Sequence, residues 1–140
     1  MLKLTPFLLF DGQCAEAMRF YHSCFGGDLT LVPLSETPMA AQFPPEHHNK
    51  ITNARLINGA VELTATDWLH PTRKPVQGNM AALYVTADRY EELSSVFERL
   101  RDGADAALLV ELHAMPFGIY GRMTDRYGVE WFFRGANVNP

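Results

Sequence analysis

The sequence predicts an α+β fold of two βαβββ modules whose curled mixed sheets surround a cleft. The same order of elements, one strand, one helix and three strands, is found twice along the 140 residues. Both helical runs end at glycine, and the runs after them alternate apolar and polar residues as half-buried strands do. A single ferredoxin-like or cystatin-like mixed sheet is the alternative, because periodicity does not determine how strands associate. The doubled pattern favours two modules in one domain, 1–140.

The first module covers residues 1–68. Apolar side chains spaced i, i+3, i+4 and i+7 predict a helix over 14–25, and Gly26 and Gly27 follow it as left-handed exit residues. Asn58-Gly59 is a strong hairpin signal between two strand-like runs. Residues 35–50 hold several prolines and are expected to form a long loop. The predicted strands of this module are 4–10, 29–34, 51–57 and 60–66.

A proline-containing linker, 69–78, leads to the second module, 79–140. An amphipathic pattern predicts a helix over 88–101, with Asp88 and Glu91 as a capping box and Gly103 as the stop. Residues 125–128 are expected to turn between the last two strands. The predicted strands of this module are 80–85, 106–113, 120–124 and 129–134.

Composition excludes several classes of protein. The chain is 47% hydrophobic and 20% charged, which is typical of a folded globular domain. Its net charge of −4, without a basic block, argues against nucleic acid or an anionic membrane as partner. Cys14 and Cys24 lie about 15 Å apart on one predicted helix, too far for a disulfide. Unpaired cysteines and the lack of a signal-peptide pattern predict a cytoplasmic protein.

Three parts of the chain resemble a known family. They are the opening FLLFDG (7–12), EAMRFY (16–21) and FGG (25–27), the strand ITNARL (51–56) and the closing stretch YGRMTDRYGVEW (120–131). Together they resemble the PhnB-type, 3-demethylubiquinone methyltransferase-like branch of the vicinal-oxygen-chelate superfamily, which includes glyoxalase I, bleomycin-resistance proteins and extradiol dioxygenases. The resemblance implies the glyoxalase/bleomycin resistance/dioxygenase fold, a homodimer and a small molecule bound in the cleft. A methyltransferase activity is not expected, because no glycine-rich nucleotide loop follows a strand.

The resemblance also implies where a metal would bind. Metal-dependent relatives take four ligands from four strands, and Glu62 lies at one of those positions. The final glutamate position is expected at Phe132, and Glu130 is expected on the opposite face of that strand and so not counted as a ligand. The two histidine positions fall on Leu4, Thr5 or Pro6 and on Asn79 or Met80. Since a catalytic metal normally needs three protein ligands, the sequence predicts no cofactor, with a divalent metal held by Glu62 and other ligands as the alternative.

Aromatic and polar residues that border the expected cleft are the candidate ligand-binding residues. Aromatic rings would line an apolar pocket for a small planar ligand, and a few polar groups would orient that ligand. Arg55 and Arg122 occupy similar places in the two modules, so they are expected either to clamp an anion or to be simply exposed. The candidates are Asn53, Arg55, Glu62, Trp68, Phe117, Tyr120 and Arg122.

The sequence therefore predicts a homodimeric, metal-free small-molecule-binding protein. Two alternatives stay open. One is a metal-dependent lyase, isomerase or dioxygenase that uses Glu62, and the other is a drug-sequestering resistance protein. The pattern of residues names neither the ligand nor a reaction, so whether the chain is an enzyme is left open.

Overall fold

The computed structural model describes residues 1–136, and the chain divides into two compact units, Met1–Val76 and Gln77–Pro140. Each unit holds one α-helix and one four-stranded mixed sheet. The prediction of an α+β fold with two βαβββ modules is confirmed. In the described part of the chain, no helix is long and apolar enough to span a bilayer.

Unit 1, Met1–Val76, has its strands in the order β1-β4-β3-β2. β1 runs parallel to β4, and the other neighbouring strands are antiparallel. The helix contacts β2, β3 and β4 through one fully buried stripe, as its apolar spacing requires. The elements are β1 Phe7–Phe10, α1 Cys14–Phe25, β2 Asp28–Pro33, β3 Ile51–Asn58 and β4 Val61–Asp67.

A buried carboxylate fixes the start of α1. Asp67, only 3% exposed at the end of β4, accepts hydrogen bonds from the backbone N–H of Cys14 (3.0 Å) and of Ile51 (2.9 Å). The N-cap residue itself, Gln13, makes no side-chain cap. At the other end of the helix Gly27 has φ +89°, and a Cβ there would collide with the carbonyl of Ile57. The sheet therefore fixes the start of α1, whereas its end also has a local cap, in which the backbone N–H of Gly26 donates to the carbonyl of His22 at 2.8 Å.

The segment between β2 and β3 is more ordered than the long loop that the sequence predicts. His48 secures it, because its Nε2–H donates to the carbonyl oxygens of Ala40 (2.9 Å) and Phe43 (3.0 Å). The backbone N–H of Leu34 donates to the carbonyl of Lys50 at 2.7 Å and closes the segment at its base. The segment contains three short 3₁₀ helices, Leu34–Glu36, Pro38–Gln42 and Pro45–His47.

Unit 2, which begins at Gln77, repeats the topology of unit 1 with the strand order β5-β8-β7-β6. Its helix buries Leu93, Phe97 and Leu100, and the ring of Phe97 packs edge-on against Phe133 at 5.0 Å. The elements are β5 Leu83–Ala87, α2 Tyr90–Leu100, β6 Val110–Met115, β7 Gly118–Thr124 and β8 Glu130–Gly135. The last strand again lies parallel to the first.

Several predicted boundaries are wrong for identifiable reasons. β1 begins at Phe7 rather than at residue 4, since the Pro6 carbonyl accepts the backbone N–H and the hydroxyl of Thr64 but Pro6 has no N–H to return. The hairpin turns at residues 59–60 instead of 58–59, because Asn58 pairs with Val61 and its side chain donates to the carbonyl of Phe25.

In unit 2 the predicted Asp88–Glu91 capping box is absent from the described residues. α2 begins at Tyr90 with Arg89 as N-cap and no side-chain cap. β6 begins at Val110 rather than at residue 106, because the Asp105 carboxylate accepts the N–H of Ala107 at 2.9 Å and holds a turn there. Local side-chain hydrogen bonds thus shorten the strand that alternation alone predicts.

Candidate functional site

Strand alternation gives each sheet a face covered by its helix and a face turned away from it, here called the open face. In unit 1 one row across the open face joins Arg55 to Thr64, and in unit 2 the matching row joins Arg122 to Phe132. Both rows continue onto the parallel strand, at Phe7 and Tyr84 respectively. The register therefore places the two arginines at equivalent positions in the two units. The full rows are Phe7, Thr64, Arg55 and Thr30 in unit 1, and Tyr84, Phe132, Arg122 and Val110 in unit 2.

The open face of unit 2 carries a cavity of about 530 Å³. This volume lies in the range of pockets that bind small molecules. Its wall combines an exposed guanidinium, one carboxylate, amide groups and apolar side chains. The lining residues are Gln77, Gly78, Asn79, Leu108, Arg122, Thr124, Glu130 and Phe132.

Arg122 is the free cation of this cavity. Within residues 1–136 its guanidinium makes no ion pair and no hydrogen bond. The neighbouring carboxylate, Glu130, instead accepts a hydrogen bond of 2.6 Å from the hydroxyl of Thr124. Because Arg122 retains all its donors, it can bind a carboxylate or two adjacent oxygens in a bidentate manner.

The equivalent face of unit 1 is already neutralised. Arg55 Nε donates to Glu62 at 3.1 Å, and Lys3 Nζ lies 2.5 Å from the other carboxylate oxygen. The hydrogen bond from Lys3, assisted by Arg55 and opposed by partial burial, holds the pKa of Glu62 below its ordinary value. The carboxylate stays charged, and both of its oxygens are committed to cations.

The residues present do not fit the metal centre of the metal-dependent relatives. Glu62 holds two cationic side chains, and the hydrogen-bond donors around it repel a further cation. In unit 2 the position equivalent to Glu62 is held by Glu130, which already accepts the hydroxyl of Thr124. Across residues 1–136, no cluster of three or more histidine, cysteine, aspartate or glutamate side chains could hold an ion.

The structure separates the seven predicted candidates. Arg122 lines the cavity of unit 2. Phe117 and Tyr120 lie beside this cavity, with their ring centroids 6.2 Å apart. The ring of Tyr120 also lies 6.2 Å from that of Phe132, which lines the cavity. The four candidates of unit 1 are also divided. Asn53 and Arg55 lie exposed on β3, Glu62 lies on β4, and Trp68 lines a different cavity of unit 1.

Sequence reasoning missed most of the unit 2 cavity. The expectation that Glu130 lies on the opposite face from Phe132 is wrong, because residues two positions apart on one strand share a face. Gln77 belongs to the predicted linker and gave no signal, whereas Asn79 was considered only as the place of an expected metal-binding histidine. Their segment is placed by Gly128, whose positive φ of +86° and missing side chain leave room for Gln77 to pack against the last turn.

Solved structures resemble this chain over nearly its whole length. Protein PA1353 from Pseudomonas aeruginosa is 28% identical, with a TM-score of 0.83, and the match covers 98% of this chain and 99% of that one. The PhnB protein from Bacillus cereus is also 28% identical, with a TM-score of 0.70 and coverage of 96% and 100%.

More distant structures share the fold alone. A glyoxylase/bleomycin resistance protein/dioxygenase domain from Frankia is 12% identical with a TM-score of 0.63, over 100% of this chain and 96% of that one. TnmS3, an antibiotic-binding protein from Streptomyces, is 18% identical with a TM-score of 0.53, over 97% and 98%. The fold is therefore that of the glyoxalase/bleomycin resistance/dioxygenase superfamily, as the resemblance implied. Since the family model described as 3-demethylubiquinone-9 3-methyltransferase matches residues 2–133, the chain belongs to that PhnB-type family.

Proposed function

We propose that this chain is a PhnB-like small-molecule-binding protein that uses the open-face cavity of unit 2 and works without the family metal centre. The observation that supports the proposal most is Arg122, an unpaired guanidinium among the described residues, in the wall of a cavity of about 530 Å³. An arginine held there without a partner is suited to recognise an oxygen-rich anion.

The cavity wall defines the class of ligand. Arg122 would hold a carboxylate or two adjacent oxygens, while Phe132 and Leu108 offer apolar surface to the body of the ligand. Glu130 accepts the Thr124 hydroxyl and disfavours a second anionic group nearby. The expected ligand is a small, flat molecule with one anionic, oxygen-rich end.

The partners of Glu62 support binding without metal. A metal-dependent lyase, isomerase or dioxygenase would have to release Glu62 from Lys3 and Arg55 and recruit further ligands, so it is the weaker alternative. The fold shared with the antibiotic-binding TnmS3 keeps sequestration of a drug-like molecule as the second candidate.

The methyltransferase activity in the family description is not part of the proposal. Each described sheet has one parallel strand pair in an otherwise antiparallel order. Nucleotide-type cofactors bind at the point where the strand order of a doubly wound parallel sheet reverses, and residues 1–136 contain no such sheet.

The proposal extends to assembly and location. Exposed apolar side chains on the outer strands of both sheets, Phe7 at 54% and Tyr84 at 61%, support a homodimer. Cys14 and Cys24, which are buried and form no disulfide, support a cytoplasmic location. The net charge of −4 supports a chain without nucleic-acid or membrane partners.

Calorimetric titration of untagged protein with a panel of small carboxylates, 2-oxo acids and catechols tests the binding site. A ligand of the expected class binds wild type and Arg55→Gln alike, because Arg55 is already paired. It binds Arg122→Gln about tenfold more weakly, the usual loss for a charge-assisted hydrogen bond. If Arg55→Gln and Arg122→Gln bound the ligand with equal affinity, the ligand would bind somewhere other than at Arg122.

Metal analysis of the same preparation tests the second half of the proposal. We expect substoichiometric divalent metal, and binding that a chelator leaves unchanged. A stoichiometric metal together with a turnover that chelation abolishes would establish the enzyme alternative instead.

A further inference from the structure

A second cavity lies within unit 1 and uses none of the open-face rows. It has a volume of about 470 Å³, again in the range that small ligands occupy. Three segments form its wall: the turn after β1, the 3₁₀ segment before β3 and the chain that follows β4. The lining residues are Asp11, Phe43, His47, Lys50, Trp68, Leu69, His70, Pro71 and Lys74.

Aromatic rings form much of this wall. Phe43 and His47 meet edge to face with centroids 6.4 Å apart, and Trp68 and His70 lie 5.4 Å apart. The guanidinium of Arg73 lies 5.0 Å from the centre of the Trp68 ring. Such walls favour a planar, aromatic ligand, because ring faces and edges pack best against another ring.

The charge of the cavity is positive. Lys74 lies 3.4 Å from Asp11, but both side chains are exposed and the pair contributes little. Lys50 makes no ion pair with any residue in the described range, while its backbone is fixed by hydrogen bonds with Leu34 and His47. The cavity therefore presents an ammonium group that lacks a counter-charge.

His47 supplies an observation of a different kind. Its Nδ1 is buried and has no hydrogen-bond partner within residues 1–136. Buried polar atoms nearly always have a partner, and Nε2 of the adjacent His48 donates to two carbonyl oxygens. A hydroxyl or carboxyl group of a bound molecule would satisfy this atom.

Hydrogen bonds within the chain hold the wall in place. The backbone N–H of Trp68 donates to the carbonyl of Phe10 at 2.8 Å. His70 Nδ1 accepts the N–H groups of Thr72 (3.1 Å) and Arg73 (2.8 Å), which folds the chain after β4. A preorganised site of this kind loses little conformational entropy on binding.

We propose that unit 1 carries a second small-molecule site, which takes an aromatic monocarboxylate. The ring of the ligand packs on Phe43 and Trp68, and its carboxylate meets Lys50 and His47. The site shares no residue with the cavity of unit 2, so the two proposals stand or fall separately.

Benzoate is the probe, and the two tryptophan indole N–H signals of uniformly ¹⁵N-labelled, untagged protein are the readout. Trp68 lines the cavity, whereas Trp131 is 2% exposed in unit 2 and donates to Asp125 at 2.8 Å. Trp68→Phe assigns the signals. We expect benzoate to shift the Trp68 signal saturably and to leave the Trp131 signal in place.

Two analogues of benzoate test the contributions of its aromatic ring and its charge to binding, and three variants test where it binds. Benzamide lacks the charge and cyclohexanecarboxylate lacks the aromatic ring, so both should bind more weakly than benzoate. Lys50→Gln should weaken benzoate about tenfold and leave benzamide unchanged. Lys3→Gln is the matched lysine control, and Arg122→Gln should also leave this site intact. The proposal is overturned if benzoate does not shift the Trp68 signal, if benzamide binds as tightly as benzoate, or if Lys50→Gln binds benzoate with the affinity of wild type.

Discussion

The open faces of the two sheets carry the same charged residues at the same register, with different partners. In unit 1, Glu62 forms ion pairs with both Arg55 and Lys3. In unit 2, Glu130 accepts a hydrogen bond from the hydroxyl of Thr124, and the donors of Arg122 have no partner among the described residues. An equivalent arginine is thus part of a closed ion-pair network in one unit and a candidate recognition group in the other.

The difference originates in two places of the sequence. Opposite the glutamate stands Ile57 in unit 1 but Thr124 in unit 2, and only the threonine has a hydroxyl to donate. The segment before the first strand also differs, since it brings Lys3 to unit 1 and the neutral Gln77 and Asn79 to unit 2. Whether an arginine recognises a ligand therefore depends on its neighbours more than on its own position.

The largest expected effect concerns the buried carboxylate of each unit. Asp125 accepts the N–H groups of Tyr127 and Val129 and the indole N–H of Trp131, all within 3.0 Å. Asp125→Ala leaves these donors unsatisfied and should lower the free energy of unfolding by about 4 kcal/mol. Asp67→Ala removes two backbone bonds in unit 1 and should cost about 3 kcal/mol.

Urea denaturation followed by circular dichroism measures both losses. Asp105→Ala is the control, because that exposed aspartate holds a single turn N–H. A loss for Asp125→Ala no greater than that of the control would show that the carboxylate does not anchor the last hairpin.

A second prediction converts the open face of unit 2 into the state of unit 1. Thr124→Val keeps the shape of the side chain but removes the hydroxyl from Glu130, which then becomes free to pair with Arg122. The affinity of the unit 2 cavity for its anionic ligand should fall about tenfold, as if the arginine had been removed. Calorimetric titration with the ligand identified by the carboxylate panel measures the change.

The double variant Thr124→Val with Glu130→Gln is the matched control. It removes the competing carboxylate, so the affinity should return towards that of wild type. Failure of the double variant to recover binding would mean that Thr124 acts by shaping the cavity rather than by holding Glu130.

Much of the fold could be predicted from sequence because local patterns determine it. The first helix was predicted over the residues that form it, since its apolar stripe and the glycines after it are contiguous. The equivalence of Arg55 and Arg122 followed from the repeat. What could not be predicted depends on distant residues, such as Lys3 reaching Glu62 or Asp67 capping Cys14.

The candidate site was harder to predict for the same reason. Strand alternation locates Arg122 and Phe132 on one face. Alternation does not show that the hydroxyl of Thr124 donates to Glu130. Nor does it show that Gln77, which lies in a segment with no regular pattern, packs against Gly128. The cavity of unit 1 depends equally on a non-repetitive segment, which is secured by His48.

The smallest effect is expected for Glu62→Gln, which opens the network of unit 1. Lys3, with help from Arg55, holds the pKa of Glu62 below its ordinary value, so the charged carboxylate stabilises the native state at neutral pH. This contribution is complete above the ordinary glutamate pKa and is lost as pH falls through the lowered one. The stability difference between wild type and Glu62→Gln should therefore be small at neutral pH, should decrease with added salt and should vanish in acid. Urea midpoints measured across pH check this, and a difference that persists in acid would mean that Glu62 acts through packing rather than charge.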